Sequence, residues 1–300
     1  MSVAVERAAV RERAARKRRF RHLRVHAFLA VAALLWLAPI AYTFYTSLRP
    51  YSDTAERGYV SLPGTFNFDN YSKAWSQADL PHYFLNSLII TVPAVIVTLF
   101  FASCVAFVVA RLSFRFNLAL LILFTAANLL PQQIVLTPLY RMYLELPLPQ
   151  WLSESGQLYD SYIGLIVINI AFQVGFCTFV LSNYMKTIPS SLSDAARVDG
   201  AGVARQFFGI VLPLCRPALA ALATLEFTWI YNDFLWAIVL MQSGDKRPIT
   251  SAVAQLQGQY FTDYNLLAAG AMIIALPTLL VFALLQRHFI SGLTLGSTKG

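Results

Sequence analysis

Charge is what this sequence has least of. Lys, Arg, Asp and Glu make up 13% of its 300 residues, and hydrophobic residues make up 57%. A soluble domain carries about 25% charged residues, so a water-facing globular surface is excluded and an all-α polytopic membrane protein is implied. Cysteine is also rare. Cys104, Cys177 and Cys215 lie in or beside apolar segments at unrelated spacings, which indicates neither a disulfide framework nor a metal site; they read as small apolar fillers. The four histidines, His22, His26, His82 and His288, are scattered near segment ends, so no metal cluster is expected. The chain also lacks a phosphate-cradling G-x-x-x-x-G-K-[ST], an H-E-x-x-H and a nucleophile elbow. It is therefore expected to hold no catalytic residues and to bind no cofactor.

The charge that is present is unevenly placed. Residues 1–26 carry Arg7, Arg11, Arg13, Arg16, Lys17, Arg18, Arg19, Arg21 and Arg24 against only Glu6 and Glu12. Such an arm cannot bury a core, and is expected to be partly disordered or to lie along anionic headgroups. The formal charge of +8 is concentrated here rather than spread over a soluble surface, so a membrane-lipid partner is favoured over nucleic acid. The apolar run at 27–48 follows directly. It is long enough to span a membrane, and Leu48-Arg49-Pro50-Tyr51 is no small-residue cleavage site, so an uncleaved first helix is expected rather than a signal peptide.

Further apolar runs fall at about 83–110, 117–144, 161–184, 215–241 and 264–286. With the first they predict six transmembrane helices, separated by external segments at 49–82, 145–160 and 242–263. The arrangement places 17 Lys/Arg and 4 Asp/Glu inside, 6 and 9 outside, and both termini in the cytoplasm. Without the arm the inside segments still carry 8 basic and 2 acidic residues, in accord with the positive-inside rule. The third run contains Asn128, Pro131, Gln132, Gln133 and Pro138, which favour an interior-facing, locally unwound segment. A short interfacial helix is a candidate for 145–160.

One polar interruption, residues 188–213, stands out. Ser190 or Ser191 is a candidate N-cap, Asp194 falls in the first turn, and Leu192, Ala195 and Ala196 share one face. Asp199-Gly200 breaks the run. A second helix with Ala204, Phe207, Phe208 and Val211 at helical spacing runs to Pro213, which ends or kinks it.

The pattern Asp194-Ala195-Ala196-x-x-Asp199-Gly200-Ala201, with Phe207 in register and Ile210-x-Leu212-Pro213 after it, resembles the "EAA" loop of bacterial ABC-importer permeases. That loop couples the permease to an ATP-binding subunit. Asp194 stands where the family usually has Glu, one methylene longer. Other matches point to the carbohydrate-uptake, MalG-like branch of this binding-protein-dependent inner-membrane family. They are Asn67-Phe68-Asp69-Asn70-Tyr71 ahead of the second run, Pro131 through Pro138-Leu139-Tyr140, and Tyr231-Asn232-Asp233-Phe234. The tail, Ser291-Gly292-Leu293-Thr294 through Lys299-Gly300, is similar to the G-L-T ending of maltose-type permeases. The matches cover about residues 60–300 and leave the basic arm and the 145–160 segment unexplained.

The resemblance implies a MetI-like permease core at 83–290 with a coupling loop at 188–213 and a cytoplasmic tail at 291–300. Implied partners are a second homologous permease subunit, two ATP-binding subunits holding ATP and Mg, and an extracytoplasmic sugar-binding protein, all at a bacterial inner membrane. Gly292, Leu293 and Thr294 would contact the ATPases.

An unpaired carboxylate in hydrocarbon costs a few kcal/mol, so Glu226 and Asp233 should face the bundle interior, a partner helix or water. Trp229, Asn232, Asp233 and Trp236 lie close together on one helical side, and with Glu226, Asn128, Gln132 and Gln133 they are candidates for a sugar pathway. The alternatives are that Asn232 and Asp233 cap a helix and that the tryptophans belong to an interfacial belt. Two other functions share these residues: import of glycerol phosphate or a polyol on the same scaffold, and a proton-coupled secondary transporter using Glu226 or Asp233.

Overall fold

The computed structural model describes residues 2–112, 116–127, 131–252, 256 and 262–294, with side chains for most of 22–286. Among these residues the regular secondary structure is helical apart from one isolated bridge, Pro147 to Gln157. The helices are α1 (Ser2–Ser47), α2 (Tyr51–Arg57), α3 (Asp69–Gln77), α4 (Leu80–Arg111), α5 (Asn117–Ala127), α6 (Gln132–Glu145) and α7 (Tyr162–Thr187). They continue with α8 (Ser190–Val198), α9 (Val203–Gln206), a π turn at Phe207–Val211, α10 (Leu212–Leu214), α11 (Arg216–Tyr231), α12 (Leu235–Leu240), α13 (Ile249–Ala252) and α14 (Tyr264–Thr294). The basic arm is thus the start of α1 rather than a separate, partly disordered strand of chain. Its Ala and Arg residues are among the strongest helix formers, and that local preference needs no core.

Two compact units are distinguished: Met1–Ser72 with Asp263–Met272, and Lys73–Thr262 with Ile273–Gly300. The first is pinned by Arg49, which is fully buried. Its Nε donates to Asp53 Oδ2 at 2.7 Å, and its Nη atoms reach the carbonyls of Tyr59 and Ser61 and the Ser61 hydroxyl. Asn70 and Asn265 both donate to the Arg49 carbonyl, at 2.8 and 2.9 Å. A buried guanidinium is tolerated here because nearly every donor is used.

In the second unit α4 and α7 pack along their lengths with α11. Ile90, Ala94, Ala102 and Ala106 form a stripe at four-residue intervals on α4, interrupted by the buried Thr98. Small residues at this spacing let helix backbones approach closely, the usual device where no hydrophobic force separates helix from lipid. Leu85, Ile89, Ile96 and Phe100 on the other side of α4 are exposed. The buried face therefore carries the small and polar residues and the outer face the large apolar ones, the reverse of a soluble helix.

Four helices among the described residues are long and apolar enough to cross a membrane: His22–Ser47, Leu80–Arg111, Tyr162–Thr187 and Tyr264–Gln286. A fifth candidate is the pair Val203–Leu214 and Arg216–Tyr231, bent by 72°. Two of the six predicted runs are not continuous helices. The third divides into α5 and α6, with Pro131 in extended backbone before Gln132. The fifth is broken at Asn232–Phe234, where α11 ends and α12 begins.

The 145–160 segment is not an interfacial helix. Leu148 and Leu158 donate their N–H groups to Gly156 and Leu146 across a hairpin-like loop, in keeping with Pro147, Pro149 and Gly156 as helix breakers.

Candidate functional site

Two regions concentrate the residues singled out by sequence. The first is the elbow of α8 and α9. Pro189, not Ser190 or Ser191, occupies the N-cap position, and no side chain caps the helix. Ser190 is therefore the first helical residue and Asp194 lies beyond the first turn, where the helix dipole no longer favours a carboxylate. Asp194 instead pairs with Arg197 at 3.4 Å, both exposed. The inward face also differs from expectation: Ser193 and Ala196 are buried, whereas Leu192 and Ala195 are exposed.

The end of α8 follows from one backbone angle. Gly200 has φ +77°, the left-handed conformation that glycine adopts without penalty. Its N–H bonds the Arg197 carbonyl at 3.0 Å, and the Ala201 N–H bonds the Ala196 carbonyl at 2.8 Å. These are the paired bonds of a Schellman C-cap. Asp199 is the C-cap residue and stays exposed. Gln206 Nε2 then donates to the Ala201 carbonyl at 2.8 Å, tying the second arm of the elbow to the first. Phe207 is buried and packs on Phe107 with ring centres 5.2 Å apart. It opens the π turn, and Pro213 precedes the 72° bend at Cys215. The elbow is thus anchored to the helical core through Phe207 and Val211, while Leu192, Val198, Val203 and Phe208 stand exposed.

The second region is a cavity of about 660 Å³, within the size range of ligand pockets. Its polar lining is Thr125, Gln132, Asn169, Gln173 and Asp233; its aromatic lining is Phe172, Phe176, Phe179, Trp229 and Trp236. Among the described residues, none that lines it is basic. Asp233 sits in the break between α11 and α12 and does two things there. Its Oδ1 accepts the Trp236 N–H at 3.2 Å, helping to start α12, and its Oδ2 accepts Asn169 Nδ2 at 3.3 Å. Trp236 stacks on Phe172 at 5.4 Å, and Trp229 meets Phe176 edge-on at 5.2 Å. Amide and carboxylate oxygens beside flat aromatic faces suit a polyhydroxylated ring, which offers hydroxyls at its rim and C–H groups on its faces.

Not every sequence candidate reaches this cavity. Gln132, Trp229 and Asp233 line it. Gln133 and Asn232 are exposed elsewhere, and Asn232 donates to the Thr228 carbonyl at the end of its own helix. Glu226 is fully buried against the helical core, where it accepts the Cys177 thiol at 3.0 Å. Asn128 lies outside the described residues, as do 295–300; Gly292, Leu293 and Thr294 are the last residues of α14, described by backbone only. Sequence reasoning missed Asn169 and Gln173. Their signal was two amides four residues apart in the middle of the run at 161–184, a spacing that puts both on one helix face. Among the described residues no group of three His, Cys, Asp or Glu could hold a metal ion.

Outside the apolar spans, Asp160 ties the 145–160 loop to the segment after α12. Its Oδ1 accepts the Gln242 and Ser243 N–H groups at 2.9 and 2.8 Å, and its Oδ2 accepts the Ser243 hydroxyl. Burial pushes the Asp160 carboxyl up, but these bonds and Lys246 outweigh it and hold it below the usual carboxylate range.

Several apolar spans, an anchored polar elbow and an interior cavity together define a multi-pass helical membrane transport component. More narrowly, the chain belongs to the family described as binding-protein-dependent transport system inner membrane component, whose model matches residues 76–294. It is 33% identical to a probable ABC transporter permease protein of Pyrococcus horikoshii, over 87% of this chain and 91% of that one. It is 32% identical to the melibiose/raffinose/stachyose import permease protein of Bacillus subtilis, over 96% and 100%. Among solved structures, a bacterial ABC transporter involved in import of the acidic polysaccharide alginate shares the fold, with a TM-score of 0.75 at 21% identity over 90% of this chain and 97% of that chain.

Proposed function

We propose that this chain is one of two homologous permease subunits of an ATP-driven importer that carries a neutral sugar, a disaccharide or short oligosaccharide, into the cytoplasm. The observation that carries the sugar assignment is the cavity, where, among the described residues, five polar and five aromatic side chains converge and none is basic. A glycerol phosphate would call for a cationic lining, and an acidic polysaccharide likewise. The sugars named for the Bacillus subtilis relative are neutral and fit that chemistry.

Six spans are proposed: the apolar part of α1, α4, the α5–α6 pair, α7, α11 with α12, and α14. The Lys/Arg excess of the inner segments supports cytoplasmic termini, with the arm at 1–26 and the tail at 291–300 inside. The family description itself supports an extracytoplasmic binding protein as partner. Two separate ATP-binding subunits would hold ATP and Mg, leaving this chain without a cofactor or catalytic residue. They would dock on the elbow around Asp194, Ala195, Ala196, Asp199, Gly200 and Ala201, whose exposed Leu192, Val198 and Val203 offer an apolar edge. Closure of the ATPases would displace the elbow as a body, and Phe207, buried in the helical core, would pass the movement on.

The deciding experiment is uptake of labelled raffinose and of labelled glycerol 3-phosphate by vesicles holding the complete complex. Raffinose uptake that requires ATP, with none of glycerol phosphate, is expected. Uptake by vesicles holding this chain alone under a proton gradient would reject the reading in favour of a secondary transporter.

A further inference from the structure

The joint between α7 and α8 is held by a residue from neither helix. The last four carbonyls of any helix lack partners within it. At the end of α7, the Met185 and Ile188 carbonyls both accept hydrogen bonds from Arg111 Nη2, each at 2.8 Å. One NH2 group thus gives a hydrogen to each carbonyl. Arg111 is the last residue of α4, and its positive charge also suits the negative end of the α7 dipole.

Ile188 packs against the helical core, but few other hydrogen bonds fix the direction of this joint. Pro189 follows Ile188 and has no N–H to donate, and no side chain caps α8. The remaining backbone bond at the joint is Ile188 N–H to the Met185 carbonyl, longer at 3.2 Å. Without the guanidinium, the joint would keep the non-directional packing of Ile188, a proline and one long hydrogen bond. A displacement of α8 could then be absorbed by rotation about the Ile188 and Pro189 backbone instead of moving the helices.

From this geometry we infer that Arg111 is a positioning residue that makes the ends of α4 and α7 and the start of α8 move as one piece. The inference rests on the docking role proposed for α8. Arg111 touches neither the cavity nor the exposed edge of the elbow; it acts through the Met185 and Ile188 carbonyls. It follows that losing Arg111 should separate nucleotide hydrolysis from movement of the helices, rather than reduce both together.

The test uses the assembled complex, purified through a tag on this chain and reconstituted in lipid vesicles. A cysteine introduced at Gln132, which lines the cavity, is labelled with a membrane-impermeant maleimide with and without ATP and vanadate. With Arg111 in place, nucleotide should change the labelling rate on the order of fivefold or more, the lower end of ordinary coupling between sites. In Arg111→Gln this response should vanish while most of the ATP hydrolysis is retained. Arg111→Lys keeps the charge but loses the planar fork, so its response should be intermediate.

An unchanged nucleotide response in Arg111→Gln overturns the inference, and so does a proportional fall in hydrolysis and response, which is what a merely structural role would give. If Arg111→Gln fails to assemble, Arg111→Lys decides: an intermediate response with unchanged hydrolysis supports the inference, and a full response, or a proportional fall in both, rejects it. The docking role is separately tested by Asp199→Arg. A normal nucleotide response in that variant rejects docking and the role of Arg111 with it; loss in Asp199→Arg beside a normal Arg111→Gln rejects Arg111 alone.

Discussion

At the scale of the residue, Gly200, Asp160 and Asp233 each act through backbone N–H groups. Gly200 closes α8 in the left-handed conformation, and no atom lies within 4 Å of where a Cβ would stand. Gly200→Ala therefore meets no steric obstacle from neighbours and should cost only the backbone penalty, about 1–2 kcal/mol, seen as a small fall in the thermal midpoint of the purified complex. A larger fall would mean that a partner surface fills the space.

Asp160 gives a pH dependence. Its folded pKa is depressed, so its contribution is present above the ordinary value of about 4 and is lost as pH falls through the folded value. The protection of the Gln242 and Ser243 amides against exchange, measured relative to their intrinsic rates, should fall on acidification, and in Asp160→Asn should already be low near neutrality. In the cavity, Trp229→Ala should lower sugar uptake about tenfold if the ring face contributes about 1.4 kcal/mol to substrate binding, with ATP hydrolysis assembled normally; equal uptake would remove the ring from the pathway. Trp229 and Asp233 were legible in sequence as unusual residues for a membrane helix. Asn169 was not singled out, because its importance comes from facing Asp233 across two helices 64 positions apart in the chain.

At the scale of the element, the elbow was the most legible part. The Asp199-Gly200 stop, the inward Phe207 and the bend after Pro213 all follow from local rules about glycine, proline and apolar spacing. The start of α8 differs from the expected serine cap, because serine is the better cap in isolation; here the proline ahead of it already sets an extended backbone, and the helix begins at Ser190, one residue earlier than a Ser190 cap would give. The elbow also supplies a sharp prediction. Gly200→Pro cannot adopt φ +77° and removes the N–H that bonds Arg197, while Asp199→Arg reverses an exposed charge. Both variants should insert into the membrane at normal levels yet lose uptake and substrate-stimulated ATP hydrolysis. Normal uptake by both would reject the docking role. The third run is expected to be locally unwound from its prolines, and it does divide, with Pro131 in extended backbone before α6. The fifth run shows the opposite limit: hydropathy registers one long span, but it breaks at Asn232–Phe234 beside the side-chain bonds of Asp233, and a side-chain bond to a distant helix leaves no trace in a local window.

At the scale of the whole molecule, the proposed topology can be tested without knowing the substrate. Single cysteines at Ser191 and Ser243 should label from opposite sides of the membrane, Ser191 from the cytoplasmic side. Labelling of both from one side would overturn the six-span arrangement and the elbow's role with it. What the sequence determined alone is the solvent of each segment, because hydrocarbon tolerates few charges and that term adds along the chain without any fold; the proposed sidedness rests on the same kind of local sum, the Lys/Arg bias of the segments. What only the tertiary structure decided is which side chains meet. The burial of Glu226 against Cys177 rather than in the cavity, the pairing of Asn169 with Asp233, and the reach of Arg111 to the end of α7 all depend on how α4, α7 and α11 are rotated against one another. That rotation is set by small-residue packing over many turns, and no single stretch of the chain encodes it.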